Sequence, residues 1–439
     1  MADSAGEAAP DTSDPGLAAS PADGKARPLL LTRDYAGWWT GNTISALGTS
    51  ISSIAFPLLV LYSTGSVAKA GVITAASMIG MVATTLWGGA LADRASRKAI
   101  MVIGPLIQAA ALGTVALLAH SGPVPLLTLA AMSCVSGLAN GVTLGAQAPA
   151  MRRIVPRAQQ ATATSQMFGR DMAAEIIGSP LGGFLFSVAR WLPFGADAVS
   201  FLFGSLGAAI IARPLGPDRR SADQQTTMMA DIRSGVTFVR RQPFLRYMVI
   251  FGSLINVIGA AFSLVFIAVV RYRGGSPTAI GLVMSVALIG GIAGAVAAPM
   301  LLHKVSARLI MYATIWLFAL AIAGGAIAPS LWEIALALLV GMIGLAPLNV
   351  VIEAYLVRLV PDEFMGRISA VSRFGVMSLQ WTGPLIAGVL ADLLGPPGGA
   401  LVLAAALVPF GVSLHLSSSL GVLDQSLETV EELPVPAGS

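Results

Sequence analysis

Residues 88–101 read GGALADRASRKAIM, a short basic stretch set between two long apolar segments. A weaker copy, AAPMLLHKVSARLIM, ends at Met311, 210 positions beyond Met101. A basic loop between apolar runs is what the cytoplasmic side of a membrane protein carries. Its echo in the second half implies a duplicated bundle, and duplicated membrane bundles are mostly transporters.

Composition agrees. Of 439 residues, 55% are hydrophobic and only 11% are charged, with mean hydropathy +0.79. Soluble domains carry roughly 25% charged residues, so a water-facing surface is excluded. The single cysteine, Cys134, rules out an intrachain disulfide and a thiolate cluster. His120, His303 and His415 are scattered, and no pair has the i, i+4 spacing of a helical metal site. No metal and no cofactor are expected. The net charge of +4 belongs to membrane topology and not to a nucleic-acid partner.

A spanning helix needs about 20 mostly apolar residues, and such stretches occur twelve times: 36–63, 68–91, 99–120, 124–148, 161–189, 192–212, 245–270, 277–302, 308–328, 331–357, 367–394 and 399–418. The expected fold is all-α, with twelve transmembrane helices in two six-helix pseudo-repeats. Residues 33–212 form the first bundle and 245–418 the second. Between them lies a cytoplasmic linker, 213–244, whose Ile232, Val236, Val239 and Phe244 have the spacing of an amphipathic helix; an ordinary basic linker is the other reading. Residues 1–32 hold no apolar h-region and read as a disordered tail, as does the acidic stretch 419–439. Lys and Arg gather at the termini and in the even-to-odd connections, whereas the opposite side holds only Lys69, Arg190, Arg271 and Arg273. The positive-inside bias puts both termini on the cytoplasmic side.

The halves align at two offsets. Gly71, Gly80 and Lys98 meet Gly281, Gly290 and Arg308, 210 positions on. Gly178 and Gly183 meet Gly383 and Gly388, 205 positions on. An even number of spans per half keeps the copies parallel, related by an axis along the membrane normal.

The loop Gly89-x-Leu91-Ala92-Asp93-Arg94-x-Ser96-Arg97-Lys98 resembles the signature between helices 2 and 3 of the major facilitator superfamily, with Ser96 standing where that pattern has a turn glycine. Leu61–Ser66, Pro193–Phe201 and Val360–Arg367 look like the bacterial branch that includes macrolide-efflux proteins and the enterobactin exporter. The resemblance spans about residues 33–418. It implies alternating access by a monomer, with no enzymatic activity. It also implies that Asp93, Arg94, Arg97 and Lys98 gate the cytoplasmic side against the start of helix 11 at Arg367. Related proton-coupled exporters carry an acid in helix 1, where this chain has Thr49, and an arginine in helix 4, which residues 124–148 lack. Their helix 5 carries Gly-Pro, whereas this chain has Gly178-Ser179-Pro180.

Helix 5 holds Arg170, Asp171 and Glu175 within an apolar span. Asp171 lies about 15 Å from the helix start at 1.5 Å per residue, near the middle of a ~30 Å core. Asp171 and Glu175 are spaced i, i+4 and share a face. Charges at that depth pair with one another or line water. The acids are therefore either a proton-titrating pair at the cavity or members of an ion-pair network with Arg170. Glu353 and Arg373 are expected to pair or to close the inner gate. Asp197 reads as structural. Gln166, Asn256, Asn349 and Gln380 are possible cavity donors or interhelical contacts. Few Asn, Gln or aromatic groups are expected in the cavity.

These features point to a secondary active exporter of amphipathic small molecules — drug, antibiotic or siderophore-like — driven by a proton gradient. The alternatives are an uptake permease or facilitator and, from another class, a non-transporting scaffold or sensor. The expected partners are a small-molecule substrate and the lipid bilayer.

Overall fold

The computed structural model describes residues 28–213, 215–216, 236–360, 368, 371–372 and 374–424. Among them there is no strand. The long helices are α1 (Arg33–Thr64), α2 (Val67–Arg94), α3 (Arg97–Ser121), α4 (Leu126–Ile154), α5 (Gln160–Val188), α6 (Leu192–Ile210), α7 (Pro243–Tyr272), α8 (Pro277–Lys304), α9 (Ala307–Ile327), α10 (Leu331–Leu359) and α11 (Thr382–Leu416). Ten segments are long and apolar enough to cross a membrane. The charges of α5 keep that helix out of the set. The last segment, Phe374–Leu416, breaks at Gly395, where φ is 75° and the following prolines restart the helix. Adding α5 and counting both arms of α11 recovers the twelve expected spans. Of the tails expected to be disordered, 1–32 and 419–439, the described parts are ordered: Leu29–Leu31 and Ser418–Asp424 are short 3-10 helices, with Leu29, Leu420 and Leu423 buried against the bundle. Residues 1–27 and 425–439, Arg367, Arg373 and most of the linker lie outside the described residues.

The linker does supply one helical piece, residues 236–241. Its Phe238 and Val239 are buried in the main hydrophobic cluster, whereas Val236 is exposed.

The duplication is visible in the packing. Helices approach closely where a glycine leaves room for a neighbouring carbonyl. A Cβ on Gly71 would strike the Pro384 carbonyl, and one on Gly281 would strike that of Ser179, its repeat counterpart. Gly388 sits on Val67 and Ala68 as Gly183 sits on Pro277 and Thr278. The two inter-half seams, α2 with α11 and α5 with α8, are therefore copies of one another.

Both seams are tightest at the end away from the termini. There, Asp392 of α11 accepts hydrogen bonds from Ser66 Oγ at 2.7 Å, Val67 N at 2.8 Å and Ala68 N at 3.3 Å. A carboxylate of one half thus caps the first turn of α2 in the other. At the matching place in the second seam, Ser187 Oγ lies 3.2 Å from Thr278 Oγ1. The Arg271 guanidinium donates to the Leu61 carbonyl and lies 4.2 Å over the Tyr62 ring. Towards the termini the halves part. Ser285 Oγ still reaches the Ile176 carbonyl at 2.7 Å. Beyond it, α5 and α8 splay around an apolar cleft of about 530 Å³ bordered by Phe168, Met172, Ile292 and Val296.

Candidate translocation site

The signature loop comes first. Asp93 and Arg94 end α2, and their side chains lie outside the described residues. Ser96 has φ −65° and ψ 112°, and its hydroxyl accepts from Ala99 N at 3.3 Å. The serine that departs from the turn glycine is thus the N-cap of α3, and Ser306 repeats it for α9 with Leu309 N at 3.4 Å. Arg97 is 5% exposed, and its N–H donates to the Leu215 carbonyl at 3.2 Å. Lys98 Nζ donates to the Ile211 carbonyl at 2.6 Å, at the end of α6. Its counterpart Arg308 binds the Leu414 and His415 carbonyls at the end of α11, and pairs with Asp424 at 2.8 Å. A cation at a helix C-terminus is favoured by the exposed carbonyls and the helix dipole. In this state Lys98 ties α3 to the end of α6 within its own half, while the Arg97 contact to Leu215 is made by its backbone N–H. Glu353 is exposed and has no ion pair among the described residues.

The charges of α5 separate into two roles. Arg170 is committed to Asp171: its Nη2 lies 2.7 Å and its Nε 3.0 Å from Asp171 Oδ1. The Arg170 side chain is 8% exposed and that of Asp171 56%. Glu175, one turn on, has no hydrogen bond or ion pair among the described residues, and its accessible surface opens into the cavities.

Two chambers meet at Glu175. The first, of about 410 Å³, lies inside the N-terminal half among α1, α3, α4, α5 and α6. Its walls carry Asn42, Ser45, Thr49 and Ser50 of α1, Gln108 of α3, and Asn140, Thr143 and Gln147 of α4, with Arg170, Asp171 and Glu175 opposite. The second, of about 430 Å³, lies between the halves and is lined by Ile54, Pro57, Met78, Phe262, Ile267, Met284, Leu288 and Met342, with Gln380 at its edge. Only Ser53 and Glu175 border both.

The expectation of few cavity amides is corrected here. A single half gathers Asn42, Gln108, Asn140 and Gln147 around one space. The signal was in the spacing. Residues 42, 45, 46, 49, 50 and 53 recur every three or four positions, which places them on one helix face, as do 140, 143 and 147. Of the amides singled out by sequence, Gln166 Oε1 accepts from Tyr35 Oη at 2.9 Å between α5 and α1. Asn256 donates back to its own helix at Gly252 O, 3.0 Å, and Asn349 lines neither chamber. Asp197 is 1% exposed and receives Ser52 Oγ at 2.5 Å and Ser200 Oγ at 3.0 Å, which ties α6 to α1. Among the described residues no cluster of three His, Cys, Asp or Glu is placed to hold a metal.

Two six-helix halves meeting along copied seams around a midplane cavity are the architecture that the comparison with protein families decides. The Major Facilitator Superfamily profile matches residues 38–272 and 249–419. The chain belongs to that superfamily. As a major facilitator protein it is a multi-pass membrane transporter with a small-molecule substrate. It is similar to the multidrug efflux pump Tap of Mycolicibacterium fortuitum, with 24% identity over 389 residues, 86% of this chain and 94% of that protein. The Tap pump of Mycobacterium tuberculosis is 23% identical over 405 residues, 89% of this chain and 95% of its own. Among solved structures, the nucleoside transporter NupG superposes with a TM-score of 0.66 at 15% identity, covering 86% of this chain and 98% of that one. A bacterial homologue of the iron transporter ferroportin in an inward-facing state gives 0.65 at 17% identity, covering 88% and 100%. At these identities the solved structures bear on the fold alone.

Proposed function

We propose that this major facilitator protein is a secondary active exporter of amphipathic small molecules, working by proton antiport with Glu175 as the exchanging group. The observation that carries the reading is the placement of Glu175. It is an unpaired carboxylate at midplane depth, on the boundary between an apolar chamber shared by both halves and a polar chamber within one. Arg170 is occupied by Asp171 and does not neutralise it. An intramembrane acid with no partner needs water, a proton or a cationic ligand. An amphipathic amine satisfies it from the central chamber, with its apolar body among Met78, Phe262 and Met284. Proton and amine then compete for one carboxylate, which couples their opposite movements.

Likeness to the Tap pumps supports the outward direction and a bacterial plasma-membrane setting. The basic residues clustered at the terminus-bearing face support a cytoplasmic location for both termini, so the state described is open inward. A monomer is sufficient, since both seams and both chambers lie within one chain. In the opposite state, Asp93, Arg94, Arg97, Lys98, Glu353, Arg367 and Arg373 are the charged groups that would close the cytoplasmic side, as the signature-loop resemblance implies. Uptake is the second reading, and the amide-rich chamber favours it.

The test is accumulation of a fluorescent lipophilic amine in an efflux-deficient bacterial host, with and without a protonophore. Wild type is expected to lower accumulation severalfold and to lose that effect when the gradient collapses. Glu175→Gln, expressed at the same level, should leave accumulation at the level of cells lacking the transporter. Higher accumulation with wild type than without it would establish uptake instead, and full export by Glu175→Gln would remove Glu175 from coupling.

A further inference from the structure

The chamber inside the N-terminal half has an amide wall that the export reading leaves unused. Its lining is rich in side-chain amides that find little to bind. Gln108 is 4% exposed, borders the chamber, and has no hydrogen bond among the described residues. Its amide has two N–H donors and a carbonyl acceptor free. Asn140 Nδ2 has only Met81 Sδ, at 3.8 Å. Gln147 Nε2 reaches Asn42 Oδ1 only at 3.4 Å. Buried amides normally bond to protein or to an occupant of their cavity. Here Arg170 pairs with Asp171, so apart from these two and Glu175 at the boundary the wall offers neutral donors and acceptors.

We infer that this chamber is a binding subsite for a neutral, polyhydroxylated arm of the exported molecule, such as a sugar or polyol substituent, with Gln108 its central contact. This rests on the proposed export of amphipathic amines and extends it. At about 410 Å³ the chamber falls near the lower end of small-molecule sites, roughly 300–1,000 Å³. It therefore takes one polar group and not a whole amphiphile. Its walls come from one half, so rigid-body rocking leaves them intact, and the arm stays bound while the central chamber changes its access. Ser53 and Glu175 join the two spaces, so one molecule spans both. The amine sits at Glu175, the apolar body lies between the halves, and the hydroxyls reach Gln108.

The test compares two probes on the full-length protein in lipid nanodiscs: N-decyl-N-methylglucamine, which carries a polyol chain on its amine, and decyldimethylamine, which does not. Wild type is expected to bind the glucamine about tenfold more tightly, the equivalent of one to two net hydrogen bonds. In Gln108→Leu that ratio should fall to about one, and Asn140→Ala should lower it in the same direction. A Gln108→Leu protein that still binds the plain amine is folded, which makes its ratio interpretable. Equal affinities in wild type, or a ratio that survives both substitutions, would overturn the subsite. The underlying reading fails separately. If Glu175→Gln binds both amines as tightly as wild type, the amine site is wrong, whatever the polyol ratio.

Discussion

At the scale of single residues, two carboxylates on one face of α5 look equivalent until their partners are known. Asp171 and Glu175 have the same depth class and the same spacing to a shared face. Arg170 decides between them, because its guanidinium is spent on Asp171 Oδ1. Removing either acid should therefore have opposite consequences. Asp171→Asn leaves a guanidinium, 8% exposed and already with Nη1 unsatisfied, without its anion. Orphaning a charge-assisted hydrogen bond costs about 1.5–3 kcal/mol. The expected result is a thermal midpoint in detergent lowered by several degrees, with export retained in the protein that folds. Glu175→Gln should leave the midpoint at or above that of wild type, because an unpaired acid has been replaced by a neutral amide, and should lose export. Thermal unfolding measured beside drug accumulation checks both. A Glu175→Gln protein that is strongly destabilised would place Glu175 in a structural pair.

At the scale of helices, the outer seam depends on one carboxylate that the repeat does not duplicate. Asp392 caps α2 through three hydrogen bonds, while the second seam has only the hydroxyl contact of Ser187. An acid at a helix N-terminus contributes about 0.3–1 kcal/mol, up to ~2 in partly buried settings, and it acts here only when the outer side is shut. Asp392→Asn presents an amide N–H towards backbone N–H groups and loses that term. It should shift the population towards outward-open by about tenfold. Spin-label distances between the outer ends of α2 and α11 should lengthen, and an unchanged distribution would show that the glycine seam alone holds the gate. Asp392 went unnoticed in the sequence because it sits at the end of an apolar run, where a lone acid reads as solvated. The helices were legible, since apolar length is a one-dimensional property, and both ends of each of α1 to α10 lie within several residues of the expected spans. Ser96 shows the limit. The pattern has a turn glycine where this chain has a serine, and that serine caps α3. A pattern records which residue is usual at a position, not which hydrogen bond the local backbone leaves open.

At the scale of the whole molecule, the repeat explains both why the fold was readable and why the site was not. The offset matches fixed two parallel six-helix halves, and the structure turns those same residues into symmetric contacts: Gly71 with Pro384, Gly281 with Ser179, Lys98 and Arg308 on the ends of α6 and α11. The chambers break that symmetry. The amides gather in one half because α1 and α4 each turn a polar stripe inward, and only the packing of five helices brings those stripes to one space. Symmetric seams and an asymmetric site are compatible if the halves move as rigid bodies, and this makes a claim about access. With Cys134 replaced by alanine, Val296→Cys should react with a membrane-impermeant maleimide only from the cytoplasmic side, since Val296 is 77% exposed in the open cleft. Val67→Cys should react from neither side at rest, since Val67 is 4% exposed beneath Asp392 and Gly388. Conditions that drive the outward-open state should exchange the two patterns, protecting position 296 and opening position 67 to the outside. Independent changes at the two positions would mean that the seams open separately, and the halves would then bend instead of rocking as units.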